Sequence, residues 1–576
     1  MELIFATIGD APREKGSKFD TFLNGPCHSA HFCVVNTSLF LITQIVSYPD
    51  NIMSKADESN SYDTLPYPPY SFPATHIGRL GAIGRLFNLQ AADPAKARVL
   101  ELGCGVGVNL LAMAQLYPDA EFVGIDASKK QIDTGLAAIK ETGIKNTRLI
   151  AADLSKIKED LGKFDYILVH GIYSWVPDFV KDAILRLGSE NLNPGGITYI
   201  SYNCLPGWRM RGALRDMMLM HTAGIANVLE KVAQAKALIK FLAESCSEDT
   251  PYGKYLRQEL EMLTKVDDSY IAHEFLESEN QAYYFTDFLK AAAQHKLAYL
   301  GDADPSTMVA DNLPAQASST LKSLNLNLLA TEQYMDFVRN RMFRSTLLCH
   351  ADSPINRNID PIKLQDFEVS SIVTLKQSQN GSQPALFINS GGAELSVSDS
   401  ITATIFETVA NTCRAPRSIK TLINELVPAL SKNKKIKDES ALPATICHVL
   451  LQGYFKKMVD FTITNYALAP SGSEKPVALP LSRWQAAEGH RLSTTSLNML
   501  KADQFVAKLV TLCDGSRDRA AIISGLIDAV EKKEFVLNEN NQPITDPARL
   551  KVVVEGLYDG AVQNLANLGL RIPDKA

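Results

Sequence analysis

Along the first third of the chain, short apolar runs closed by glycine or an acid alternate with segments whose apolar residues recur at helical spacing. The runs predict buried strands over residues 99–102, 122–126, 147–153, 164–170 and 197–202. The periodic segments predict helices over 109–117, over 129–142 with Ser128 as its cap, and over 179–191. Such alternation means a doubly wound α/β sheet with its ligand at the carboxyl ends of the strands. A long helical stretch over 209–281 follows, then a helix over 285–295, a strand over 296–300, a helix over 332–340 and a strand over 343–349. These complete a seven-stranded sheet and make the helical stretch an insertion between strands five and six, lying over the strand tips.

The first strand runs into Val99-Leu-Glu-Leu-Gly-Cys-Gly-Val-Gly107. Its glycines allow a sharp turn and the approach of a ligand with no Cβ in the way. Asp126 closes the second strand, where its two oxygens can accept from both hydroxyls of a ribose. A dinucleotide turn needs glycine or alanine where this chain has Val108, and Glu101 ahead of the turn suits a cation better than a diphosphate. S-adenosylmethionine, with a sulfonium, an ammonium and no phosphate, fits. Asp153 ends the third strand, placed to accept from the adenine amino group, and His170 tips the fourth. The expected cofactor contacts are Glu101, Gly103, Cys104, Gly105, Asn109, Asp126, Ala127, Asp153, Leu154 and His170. Cys104, with no base beside it, is expected to contribute backbone contacts only.

Glu-x-Gly-x-Gly-x-Gly, the acid ending strand two, the Ala-Asp-Leu of strand three and Pro194-Gly-Gly196 together resemble a class I S-adenosylmethionine-dependent methyltransferase. Tyr62-Asp-Thr-Leu-Pro-Tyr67, Phe72, Thr75-His76, His170-Gly-Ile-Tyr-Ser-Trp-Val-Pro177, Ser201-Tyr-Asn-Cys-Leu-Pro-Gly-Trp208, Ala272-His-Glu-Phe-Leu-Glu277 and Asp336-Phe-Val-Arg-Asn-Arg-Met-Phe-Arg344 narrow the resemblance. They are similar to bacterial methyltransferases with a methyltransferase regulatory domain, a group that includes protein-lysine methyltransferases acting on outer-membrane proteins. Ile77 departs from the proline expected after Thr-His. The resemblance implies a protein acceptor, a surface protein met before export, and a cytoplasmic enzyme. Small-molecule or RNA methylation, and a cofactor-regulated binding protein, are the alternatives.

Methyl transfer to lysine needs a neutral amine, which a partly apolar channel favours. Tyr173, Trp175, Tyr202 and Trp208, just past strands four and five, are the expected channel residues. Amino-adenine methylation is disfavoured, since His170-Gly-Ile-Tyr173 stands where those enzymes carry Asn/Asp-Pro-Pro-Tyr. Tyr67-Pro-Pro-Tyr70 precedes strand one and reads as a rigid extended loop. Cys204 is a weak match to a nucleophilic cysteine. His76 lies in the segment expected to fold over the cofactor, and His273 is expected to join the insert to the sheet.

At 576 residues the chain exceeds a single core. Its net charge of −6 offers nucleic acid no general attraction. Nine cysteines without a CxxC pair point to a reducing compartment and no structural zinc. Residues 1–52 are expected to be a poorly ordered extension, or to precede a true start at Met53. Their apolar run, 39–46, falls short of the ~20 residues of a membrane helix. The α/β domain takes 53–208 and 284–351, and the inserted regulatory domain 209–283. A mostly helical C-terminal region divides into 352–470 and 471–576 at Ser471-Gly-Ser-Glu-Lys-Pro476. Val409-Ala-Asn-Thr-Cys-Arg-Ala-Pro-Arg-Ser418 and Leu509-Val-Thr-Leu-Cys-Asp-Gly-Ser-Arg-Asp518 echo each other as helix, tight turn and second helix, the half of a winged helix. Neither second helix is markedly basic, which favours protein over DNA as a partner. No metal is expected, and the oligomeric state is not read from the sequence.

Overall fold

Seven strands form one mixed sheet in the order β3-β2-β1-β4-β5-β7-β6. They are β1 (Arg98–Leu102), β2 (Glu121–Asp126), β3 (Thr147–Ala151), β4 (Phe164–Val169), β5 (Leu192–Asn203), β6 (Leu297–Asp302) and β7 (Phe343–His350). This computed structural model describes residues 64–157, 160–380, 383–389, 391–431, 438–464 and 474–570. The expected extension 1–52 and the start of the connection at Ser471 lie outside the described residues. The first five strands are parallel, whereas β7 runs antiparallel to both β5 and β6.

Helices α1 (Ile77–Leu86), α2 (Val108–Ala114), α3 (Lys129–Thr142) and α4 (Asp178–Glu190) cover the sheet. Ser128 caps α3 as its sequence suggests, its side chain accepting from the backbone N–H of Gln131 at 3.1 Å. Between β5 and β6 stand α5 (Trp208–Thr222), α6 (Val228–Ser245), α7 (Pro251–Leu263) and α8 (Asp268–Phe275). They close on their own apolar core, with Leu214, Ile239, Leu256 and Phe275 at its centre. The insertion expected from the helical stretch is therefore where the topology needs it.

α9 (Phe285–Gln294), α10 (Ala315–Ser323) and α11 (Leu328–Arg339) complete the α/β domain. Here the motif ending in Arg344 anchors the last strands. Arg344, fully buried, reaches Asp336 at 2.8 Å, Glu332 at 3.0 Å and Asp302 at 3.4 Å, and lies over the Phe285 ring. A buried charge persists only when paired in this way.

The region after 352 holds more strand than its sequence suggests. β8 (Glu368–Ser371), β12 (Arg417–Ser418) and β13 (Val459–Thr462) form one small sheet, and β9 (Val373–Gln377), β10 (Ala385–Asn389) and β11 (Glu394–Val397) another. Short strands with few apolar positions give little period to read. α12 (Ser400–Thr412), α13 (Ile419–Leu430) and α14 (Leu442–Phe455) pack on them and share an apolar core with α1 and β1. An ion pair between Arg79 and Asp460 at 2.7 Å reinforces that seam. The last part, with α15 (Pro480–Ala487), the ribbon β14 (Leu492–Ser493) and β15 (Met499–Leu500), α16 (Gln504–Leu512), α17 (Arg519–Glu531) and α18 (Pro547–Asn567), has a separate core. Both echoed segments are a helix, a turn and a second helix: α12 to α13 and α16 to α17.

Candidate active site

The turn between β1 and α2 is held by its own backbone. Gly103, Gly105 and Gly107 all have positive φ. A Cβ on Gly103 would stand 2.7 Å from Ile172, which closes over the turn from the loop after β4. The N–H groups of Gly103 and Cys104 both donate to the Ile125 carbonyl, and the Cys104 carbonyl accepts from Gly107. The Cys104 backbone thus ties the turn together, and burial holds its thiol in the protonated form by pushing its pKa well up.

Asp126 faces this turn from the tip of β2. One carboxylate oxygen accepts from Gly105 N–H and the other from Ser128 N–H, each at 2.8 Å. Ala127 is exposed beside Asp126. Asp153 caps a short turn through Ser155 and pairs with Lys156 at 2.9 Å. Its hydrogen bond from Ser155, then the Lys156 contact, hold its carboxyl below the usual range. Leu154 is buried in the apolar layer beneath β1 and β4.

Glu101 is the unusual group. It is 3 % exposed, one oxygen accepts from Asn109 Nδ2 at 2.8 Å, and the other is buried with no hydrogen-bond partner. Burial pushes its carboxyl up to about 8, against the pull of the Asn109 hydrogen bond. A buried carboxylate oxygen lacking a donor suits a cationic group. The Asn109 side chain, expected to touch a ligand, has its three hydrogen bonds within the protein. Its Oδ1 accepts from Phe72 N–H and from the Thr75 hydroxyl, both at 3.0 Å.

Residues 66–72 form an extended strap across the site. Phe72 lies on the His170 ring, with centroids 3.8 Å apart, and His170 Nδ1 is 2.9 Å from the Tyr199 hydroxyl. Burial lowers His170 to about 4, so its ring is neutral near pH 7. His273 ties the insert to the strap and the residue just ahead of it: its ring nitrogens reach the Leu65 carbonyl at 2.6 Å and Glu277 at 2.7 Å, and its ring packs on Tyr67. His76 is 1 % exposed and sits edge-on to Tyr117, a core position with burial lowering it to about 3. Cys204 is buried beside Asp336, with its thiol pushed up by burial.

The four aromatic residues read as a channel separate into two places. Tyr173 and Tyr202 are core side chains, packed against Phe288 and Tyr283, with the Tyr202 hydroxyl 3.0 Å from Thr346. The expectation for these two is corrected: strand alternation turns Tyr202 away from the His170 side, where Tyr199 points instead. Trp175 and Trp208 meet edge to face with centroids 6.1 Å apart, at the seam between sheet and insert. Trp208 Nε1 donates to Asn280 at 2.8 Å. Trp208→Phe, which removes that bond, is expected to lower stability by about 1 kcal/mol in urea unfolding.

A cleft of about 310 Å³ opens along the strap, lined by Tyr67, Tyr70, Phe72, Tyr270, Arg491 and Met499 among others. Strap, insert and C-terminal region all contribute to it. Residue Phe72 belongs to both the cleft and the His170 contact.

Residues 94–278 match the family described as "Methyltransferase domain", 267–350 that described as "Predicted methyltransferase regulatory domain", and 474–570 "PKMT, C-terminal winged helix domain". The regulatory match takes in α8, β6 and β7, whereas the sequence reading placed that label on 209–283. An uncharacterized protein of Rickettsia prowazekii is 34% identical over 526 residues, 89% of this chain and 94% of the relative. A second one from the same organism is 43% identical over 241 residues, 42% of this chain and 96% of its own. The solved structure of PKMT2 from Rickettsia typhi, also determined in complex with AdoHcy, is 32% identical with a TM-score of 0.78. The superposition covers 88% of this chain and 100% of that one.

Proposed function

Since this chain belongs to the S-adenosylmethionine-dependent methyltransferases that join a methyltransferase domain, a methyltransferase regulatory domain and a PKMT winged-helix domain, we propose that it methylates lysine side chains of protein substrates. The observation that carries this reading is the likeness to PKMT2 over 88% of the chain. The insert and the C-terminal region, together with the strap, wall the open cleft where an acceptor segment can lie.

When bound, S-adenosylmethionine supplies a methyl group already activated on a sulfonium. The residues present fit it: Asp126 offers oriented acceptors, Glu101 an unpartnered buried oxygen, and Asp153 a further carboxylate. Gly103 and Gly105 hold the turn, and Ala127 lies exposed beside Asp126. His170 at about 4 is too weak a base to hold a lysine proton near neutrality. Deprotonation therefore rests on desolvation, which the aromatic face of Phe72 against His170 favours by disfavouring the ammonium form. The protein otherwise aligns the amine and excludes water.

We place the acceptor among bacterial surface proteins met in the cytoplasm before export, in keeping with free thiols throughout the described residues. Radiolabelled methyl transfer into such proteins, followed by mass-spectrometric localisation, tests the reading. Label on lysine is the expected result. Label found only in RNA or small molecules overturns it.

A further inference from the structure

A chain of buried polar groups connects the C-terminal region to the cofactor turn. Gln485, on α15, donates to the Ser493 hydroxyl at 2.9 Å and accepts from Ser493 N–H at 2.7 Å. The Ser71 hydroxyl on the strap lies 3.0 Å from both the Ser493 hydroxyl and the Leu497 carbonyl. Each hydroxyl has one proton, so the arrangement that satisfies all four groups has Ser493 donating to Ser71 and Ser71 donating to Leu497. The next residue, Phe72, gives its N–H to Asn109, whose amide in turn donates to Glu101. Gln485, Ser493, Ser71, Asn109 and Glu101 are each at most 3 % exposed.

We propose that Ser71 and Asn109 are positioning residues, through which the winged-helix region sets the strap and thereby the placement of the Glu101 carboxylate that receives the cationic end of the cofactor. The role assigned to both is indirect. Asn109 has its hydrogen bonds inside the protein, and Ser71 touches only the C-terminal ribbon and the loop within it. The link is worth building because three separate parts of the chain meet on one short strap. Residues Ser71 and Phe72 also line the cleft, so whatever fills the cleft bears on the segment that orients Glu101. A buried network of this kind acts as a unit, and its loss at one end is felt at the other. This inference rests on the cofactor site and not on the lysine reading, and either can fail alone.

The hydrogen bond from Asn109 is one of the causes that hold the Glu101 pKa down. A loosened strap weakens that bond and lets the carboxyl rise further, so the deficit is largest where Glu101 is mostly protonated and fades where it is ionised. The test is titration calorimetry of S-adenosylhomocysteine into the full-length protein from pH 7 to pH 9, alongside thermal unfolding without ligand. Ser71→Ala is expected to weaken binding about fivefold at pH 7, with the deficit shrinking toward pH 9. Ser493→Ala, which leaves the strap itself unchanged, is expected to give the same pattern and serves if the first variant does not fold. Wild-type affinity at pH 7, whatever the melting temperature, overturns the proposal. So does an equal loss at every pH, the mark of a general structural defect.

Discussion

Asp126→Ala is expected to lower the affinity for S-adenosylhomocysteine about 100-fold in titration calorimetry at pH 8. The carboxylate already accepts from Gly105 and Ser128, one backbone N–H on each oxygen. It is thereby fixed before a ligand arrives, and no rotamer freedom is lost on binding. Alanine removes the acceptors for a ribose and leaves Gly105 N–H without the partner that ties the turn to β2. Hydrogen bonds to a charged group contribute about 1.5–3 kcal/mol each. Losing the equivalent of two, discounted because a loosened turn can recruit water, costs about 3 kcal/mol, and about 1.4 kcal/mol is a factor of ten. Asp126→Asn keeps one carbonyl acceptor and loses the charge, for which about tenfold is expected. Affinity for Asp126→Ala within threefold of wild type rejects Asp126 as a ribose acceptor.

Asp126 was legible in the sequence because everything that places it is local. A short apolar run ends in an acid, and the glycine turn it faces is equally compact in sequence. The five parallel strands, the insertion point after β5 and the closure near His350 follow from the same kind of signal. What the sequence concealed depends on which face of an element a residue occupies, or on partners far along the chain. Tyr199 and Tyr202 are three positions apart in β5 and so lie on opposite faces, and only the sheet's packing says that His170 belongs to the first. Asn109 stands at the start of α2, directly after the glycine turn, like a ligand-binding residue, yet its partners Phe72 and Thr75 come from a segment ahead of β1. Ser71 and Ser493 are 422 residues apart, with no pattern in either neighbourhood to join them. Arg344 was visible as part of a motif, but its carboxylate partners on β6 and α11 are products of the antiparallel β7.

Glu101 gives the second large effect, through pH. Its folded-state pKa of about 8 lies above the ordinary value of 4.5, burial being the main cause. The cation-binding form is the carboxylate, so binding at pH 7 must first release a proton. Affinity for S-adenosylhomocysteine is therefore expected to rise about 50-fold between pH 6 and pH 8, as expected for one linked proton, and then to level off. Calorimetry at pH 7 in buffers of different ionisation enthalpy should report close to one proton released. The unliganded protein follows the opposite trend. Between 4.5 and about 8 the folded state holds a proton that the unfolded state has lost, so stability declines as pH rises through that window. Glu101→Gln removes both dependences: its binding is weak and flat with pH, and its unliganded melting temperature at pH 9 exceeds that of wild type by about 1–3 °C. A variant that binds weakly yet melts higher is the signature of a carboxylate kept at a cost in stability to receive a cation. Should Glu101→Gln melt lower than wild type at pH 9, or should wild-type affinity stay level from pH 6 to pH 8, Glu101 is a structural group and the cation is received elsewhere.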